Sequence, residues 1–138
     1  MIKNKKLILL LSCLLFWCAN IYSQARQFPA PASAASIKNP LQGNGSEASI
    51  VAGKKIYVQF CVTCHGDKGK GDGIAAPGLT KPPADHTSNF VQNQMDGSLF
   101  WIITVGNNPM PSYNTTLTPT QRWQVINYIR TLAKKTKK

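Results

Sequence analysis

The first apolar block is Leu7 to Ala19, thirteen almost wholly apolar residues behind the basic stretch that holds Lys3, Lys5 and Lys6. That combination reads as a secretory signal peptide over residues 1–23. A spanning helix needs roughly 20 apolar residues, so an uncleaved anchor requires Asn20, Ile21 and Tyr22 to extend the run. Small residues place the cut after Ser23, with Ala25 the alternative. Acylation at Cys13 or Cys18 is the weaker reading, because Cys13 leaves a very short apolar region and Cys18 follows bulky Trp17.

Three later patterns have helical period. Ile50, Gly53, Ile56, Tyr57 and Phe60 follow Ser49, a plausible N-cap, and bring the chain to Cys61. Glycine inside this helix costs about 1 kcal/mol relative to alanine, so Gly53 is expected where another helix crosses closely. Asp96 is the expected N-cap of a second helix carrying Leu99, Phe100, Ile102 and Ile103, ended by Gly106 in the left-handed conformation. Thr118, Pro119 and Gln121 form a capping-box pattern before a third helix, whose buried stripe is Trp123, Ile126, Ile129 and Leu132.

Residues 24–45 are rich in Ala, Pro, Ser and Gly without apolar period and read as a flexible linker. The compact domain is expected over 46–134, with a basic tail at 135–138. The stretches from Gly66 to Pro83 and Asn107 to Leu117 lack the alternation of strands. The fold class is therefore all-α: three to four helices with long loops, and a core that is sparse unless something large fills it. The run from Gly66 to Gly73 superficially resembles a phosphate loop, but no Gly-Lys-Ser/Thr leads into a helix, so it reads as a flexible loop beside the cysteines. For Trp101, Tyr113 and Trp123 core packing is the default expectation.

Charge and cysteine count narrow the chemistry. Lys and Arg number 16 against 5 Asp and Glu, a net charge of +11; setting aside Lys3, Lys5 and Lys6 leaves +8. A basic surface suits nucleic acid, an anionic membrane or an acidic protein, and export argues against nucleic acid. Cys13 and Cys18 lie in the segment expected to be removed, which leaves Cys61 and Cys64. Such a pair could form a redox disulfide, supply half a metal site or attach haem.

His65 decides among these. Cys61-Val62-Thr63-Cys64-His65 is C-x-x-C-H, in which two thiols reach two porphyrin vinyl groups and the next imidazole reaches the iron. A thioredoxin-type pair calls for a preceding strand, where a helix is expected here, and a structural zinc site needs four ligands when Cys61, Cys64, His65 and His86 are the only good candidates.

With these residues in place the chain resembles the class I, monohaem c-type cytochromes from about Ser49 to Leu132. Gly53-x-x-x-Tyr57-x-x-x-Cys61 is similar to the family's N-terminal helix, and Trp123 with Tyr128-Ile129 to its C-terminal helix. The resemblance implies a cytochrome c fold around one covalent haem c. It also implies that the Pro77 carbonyl accepts a hydrogen bond from the axial His65, although Ala76 stands where the family often has glycine. Met110, in Pro109-Met110-Pro111, resembles the family's Met-Pro ligand loop and is the expected sixth iron ligand. His86 is its main rival, otherwise expected to be exposed in a polar loop, and Met95 reads as packing.

Filled axial positions point to a periplasmic one-electron carrier in a respiratory chain, not to an enzyme. The expected partners are redox proteins with an acidic docking surface, such as a quinol-oxidising complex and a terminal oxidase or reductase, met through Lys68, Lys70 and Lys81. The alternative is a fixed haem c subunit of a larger membrane respiratory or dehydrogenase complex, with residues 24–45 as a membrane tether. A third reading, a haem that loses its methionine and binds a small molecule, lacks an evident distal acid or base.

Overall fold

The computed structural model describes residues 30–42 and 46–133. The expected signal peptide, residues 24–29 and 43–45 of the expected linker, and residues 134–138 with the basic tail lie outside the described residues. Six α-helices and a 3-10 turn are described: α1 (Ala32–Ala35), α2 (Ser46–Phe60), α3 (Val62–His65), the 3-10 turn Ala76–Gly78, α4 (Asn89–Gln92), α5 (Asp96–Val105) and α6 (Pro119–Thr131). Among the described residues there is no strand, and the bridge between Asn107 and Met110 is isolated.

Helices α2 and α6 cross at Gly53, where a Cβ would lie 1.9 Å from the carbonyl oxygen of Gln124 and 3.1 Å from Tyr128 Cβ. The crossing buries Ile56 and Tyr57 against Val125, Ile126 and Ile129. Full burial of a side chain such as Ile126 is worth about 1.5–3 kcal/mol. Ser49 does not cap α2, which starts three residues earlier; it is buried, and its Oγ accepts from Asn127 Nδ2 at 2.8 Å across the helix pair.

The capping box of α6 forms as the sequence implies, with Thr118 Oγ1 accepting from Gln121 N at 3.2 Å and Gln121 Oε1 from Thr118 N at 2.8 Å. Its stripe also takes in Arg122, 4% exposed, with its guanidinium 4.7 Å over the Phe100 ring. Phe100 stacks on Trp123 at 4.1 Å. Leu132, at the end of the stripe, is half-buried.

Asp96 is the first residue of α5, and Met95 precedes it as a cap without a side-chain bond. The Asp96 carboxylate instead holds Arg130, at 2.7 and 2.9 Å, and the N-terminal arm. Within the expected flexible linker over 24–45, the described residues 30–42 are packed as an arm. Residues 30–42 pack on α5 and α6: Ala34 is 2% exposed, and Asn39 Nδ2 donates to Asp96 Oδ2 at 2.9 Å and to Asn127 Oδ1 at 2.7 Å. Gly97 permits the approach, because a Cβ there would be 2.1 Å from the carbonyl oxygen of Ala34. Small residues that look like linker composition are here what close packing requires.

Candidate haem site

Helix α2 ends at Phe60 and α3 follows it at Val62, which sets Cys61, Cys64 and His65 on a single turn. His65 N donates to the Cys61 carbonyl at 2.8 Å and Cys64 N to the same carbonyl at 3.2 Å. Gly66, with φ 77°, ends the turn, and the chain then folds back under it. The amides of Gly71, Gly73 and Ala75 bond the carbonyls of His65, Cys64 and Thr63 at 2.9, 3.1 and 2.9 Å. The Gly66–Gly73 run is therefore tied to the motif and is not the flexible loop expected, the N–H groups of its four glycines being used within the chain.

Both thiols are free and half-buried. Burial, with a smaller contribution from Cys64, pushes the Cys61 thiol up to about 12. Burial lowers the pKa of His65, opposed by its hydrogen bond to a carbonyl. That carbonyl is Ala84's, 3.0 Å from His65 Nδ1, and not that of Pro77. The tether of Gly73 and Ala75 to the motif leaves Pro77 exposed in the 3-10 turn, and the chain returns to the His65 ring at Ala84. A carbonyl can only accept, so Nδ1 carries the hydrogen and the Nε2 lone pair is free for a metal.

Cys61, Cys64, His65 and Met110 all line one cleft. Phe60, Ile102, Ile103, Leu117, Val125 and Ile129 give it apolar walls, with Lys81 among its lining residues. Two thiols, an imidazole with a free Nε2 and a thioether form a donor set that fits haem c.

Met110 is held by a tight turn. Asn107 and Met110 exchange two backbone bonds of 2.9 Å. Gly106 has φ 76° with extended ψ, not the left-handed helical conformation, and a Cβ there would lie 2.6 Å from Pro111 C and 2.8 Å from Met110 O. Tyr113 closes the same side, donating to the Phe60 carbonyl at 3.0 Å. Met95 is 60% exposed and away from the cleft, so it is not packed as expected. Trp123 is buried as the default reading has it, and Trp101 is half-buried.

His86 departs most from expectation, being 9% exposed. Asp85 Oδ1 accepts from Thr87 N and Oγ1, both at 2.7 Å, and His86 N donates to the Gly69 carbonyl at 2.6 Å, so this turn sends the imidazole inward. Asp-x-Thr is a turn signal that could have flagged it. Burial, then the neighbouring His65, keeps its pKa well below the ordinary value.

Residues 50–133 match the family model for cytochrome c. The chain belongs to the cytochrome c family. Membership implies covalently bound haem and haem-based electron transfer. The cytochrome is 31% identical over 101 residues to the quinohemoprotein alcohol dehydrogenase ADH IIB of Pseudomonas putida, a match that covers 73% of this chain and 14% of that enzyme. Its fold is similar to a chain of the Kuenenia stuttgartiensis reducing HAO-like protein complex Kustc0457/Kustc0458, with TM-score 0.60, 29% identity, and 81% of this chain on 54% of that one. It is also similar to the KustC0563 c-type cytochrome, with TM-score 0.52, 26% identity, and 59% of this chain on 98% of that one. Among the described residues of the cytochrome no helix is long and apolar enough to cross a membrane.

Proposed function

We propose that this cytochrome is an exported, periplasmic one-electron carrier that holds one haem c through Cys61 and Cys64, with His65 and Met110 as axial ligands. The observation that carries the reading is the convergence of these four donors on one apolar-walled cleft. When bound, haem supplies an iron that changes by one electron with both axial positions filled. The chain's own residues do the rest. The Ala84 carbonyl fixes the His65 tautomer and raises its basicity as a ligand. The Asn107–Met110 turn presents a weak thioether from a constrained backbone, and the apolar walls keep water from the site.

His86 is not the sixth ligand in this reading. Its ring lies face to face with that of His65, centroids 4.1 Å apart, so the two imidazoles stand on the same side of the cleft, which both line.

The test is the intact mass and acid–acetone extraction of the purified holoprotein. The mass should equal the chain from Gln24 onward plus one haem, with the haem left on the polypeptide; extractable haem would overturn the assignment. The second reading, a fixed haem subunit, is favoured by the match to one small part of a dehydrogenase and to a chain of the reducing HAO-like protein complex. Release by osmotic shock supports the shuttle, and co-purification with integral subunits supports the fixed subunit.

A further inference from the structure

His65 and His86 stack with their planes inclined by only 17°, and His86 is itself held from behind. Its Nδ1 is 3.2 Å from the Tyr57 hydroxyl, and that hydroxyl donates to the Gly66 carbonyl at 3.2 Å. With the phenolic hydrogen committed to Gly66, it is His86 Nδ1–H that donates to the Tyr57 oxygen. Tyr57 is 0% exposed, set edge-on between His86 and Tyr128 with centroids at 5.7 and 5.1 Å. Packing at Gly69 closes the arrangement, because a Cβ there would lie 3.1 Å from His86 Cβ.

The hydrogen bond from His65 Nδ1 to Ala84 sets the tautomer and holds one edge of the ring, while the ring's faces are held by whatever packs on them. The face neighbour is the braced His86 ring. We propose that His86 is a positioning residue for the axial imidazole: anchored by Tyr57, its ring sets the plane that His65 presents to the haem iron. The inference rests on the reading of His65 as axial ligand. Its consequence is electronic, since the axial ring plane selects the iron orbital with which the imidazole π system overlaps, and with it the distribution of unpaired spin over the oxidised haem.

The test uses the full-length holoprotein and its His86→Leu, His86→Phe and Tyr57→Phe variants, read by proton NMR of the haem methyl groups in the oxidised state. The wild type should show covalent haem and a low-spin ferric spectrum; their absence would overturn the axial reading and this proposal with it. Given both, His86→Leu and Tyr57→Phe should change the order or spread of the methyl shifts, the first because the flat neighbour is gone, the second because its anchor is. His86→Phe, which restores a flat ring, should keep the wild-type order. An unchanged pattern in His86→Leu, or identical changes in His86→Leu and His86→Phe, would overturn the proposal. If His86→Leu fails to retain haem, Tyr57→Phe decides: a wild-type shift pattern there overturns the proposal and an altered one supports it.

Discussion

Gly53 on α2 and Gln124 on α6 approach so closely that an alanine methyl at 53 would lie 1.9 Å from the Gln124 carbonyl oxygen. Gly53→Ala gains about 1 kcal/mol of helix propensity but forces the two long helices apart at the centre of the core, and overpacking of this kind costs roughly 1–3 kcal/mol or more. The expected outcome is a net loss of stability, seen as a lower urea midpoint with an unchanged slope. A variant as stable as the parent would mean that the crossing is looser than described.

Gly106 controls Met110 through the backbone. Its φ of 76° costs an L-residue on the order of 1–3 kcal/mol, and a Cβ would strike Pro111 C at 2.6 Å. Gly106→Ala should keep covalent haem yet weaken the thioether-to-iron charge-transfer band. Met110→Ala should abolish that band and open the iron to carbon monoxide, whereas Met95→Ala, at an exposed position, should do neither.

Asn39 ties the N-terminal arm to the domain through two hydrogen bonds, to Asp96 and to Asn127, and accepts a third from Leu41 N within the arm. Asn39→Ala leaves the other groups part-buried and short of a partner, a loss of about 1–3 kcal/mol. Amide hydrogen exchange should show faster opening in residues 30–42 than in α2 and α6. Equal protection throughout would contradict a locally held arm.

Two tyrosines set an alkaline limit. Burial is the chief cause that raises Tyr113 and, further still, Tyr57; the smaller part due to Cys61 and Cys64 belongs to free thiols and is absent once haem is attached. Both hydroxyls stay protonated in the folded chain after the unfolded chain has begun to ionise near 10.0. Their contribution is therefore complete below pH 10 and declines as pH rises from 10 toward 12. Urea midpoints measured across pH 8 to 12 should fall above pH 10, and Tyr113→Phe should flatten that slope while lowering the plateau, because its bond to the Phe60 carbonyl is lost.

Lys81 lines the cleft, and Lys68 and Lys70 are exposed on the loop tied beneath the motif. If an acidic partner docks here, the second-order rate of electron exchange should fall steeply with salt, on a screening length of about 10 Å at 0.1 M. The Lys68→Glu, Lys70→Glu, Lys81→Glu triple variant should be slower and less salt-dependent. Superimposable curves would place docking on another face.

What the sequence by itself determined are features whose causes lie within a few residues. The C-x-x-C-H spacing, the Thr118–Gln121 capping box, the positive φ of Gly106 and the helical period around Gly53 all depend on groups one or two turns apart, so composition and spacing carry them. Tertiary structure decided which distant group each polar atom meets. Pro77 and Ala84 both offer a carbonyl downstream of His65, and only the path of the loop, fastened to the motif by Gly73 and Ala75, brings the one nineteen residues away into place. Asp96 looks like a cap until Arg130 and Asn39 reach it, and Ser49 like a cap until Asn127 does. His86 sits in a polar sequence and ends buried because the Asp85 turn and Gly69 direct it inward. Residues 30–42 have linker composition and pack because Gly97 leaves room for them. Hydrogen-bond partners separated by tens of residues are chosen by where the chain returns, and no local pattern encodes that path.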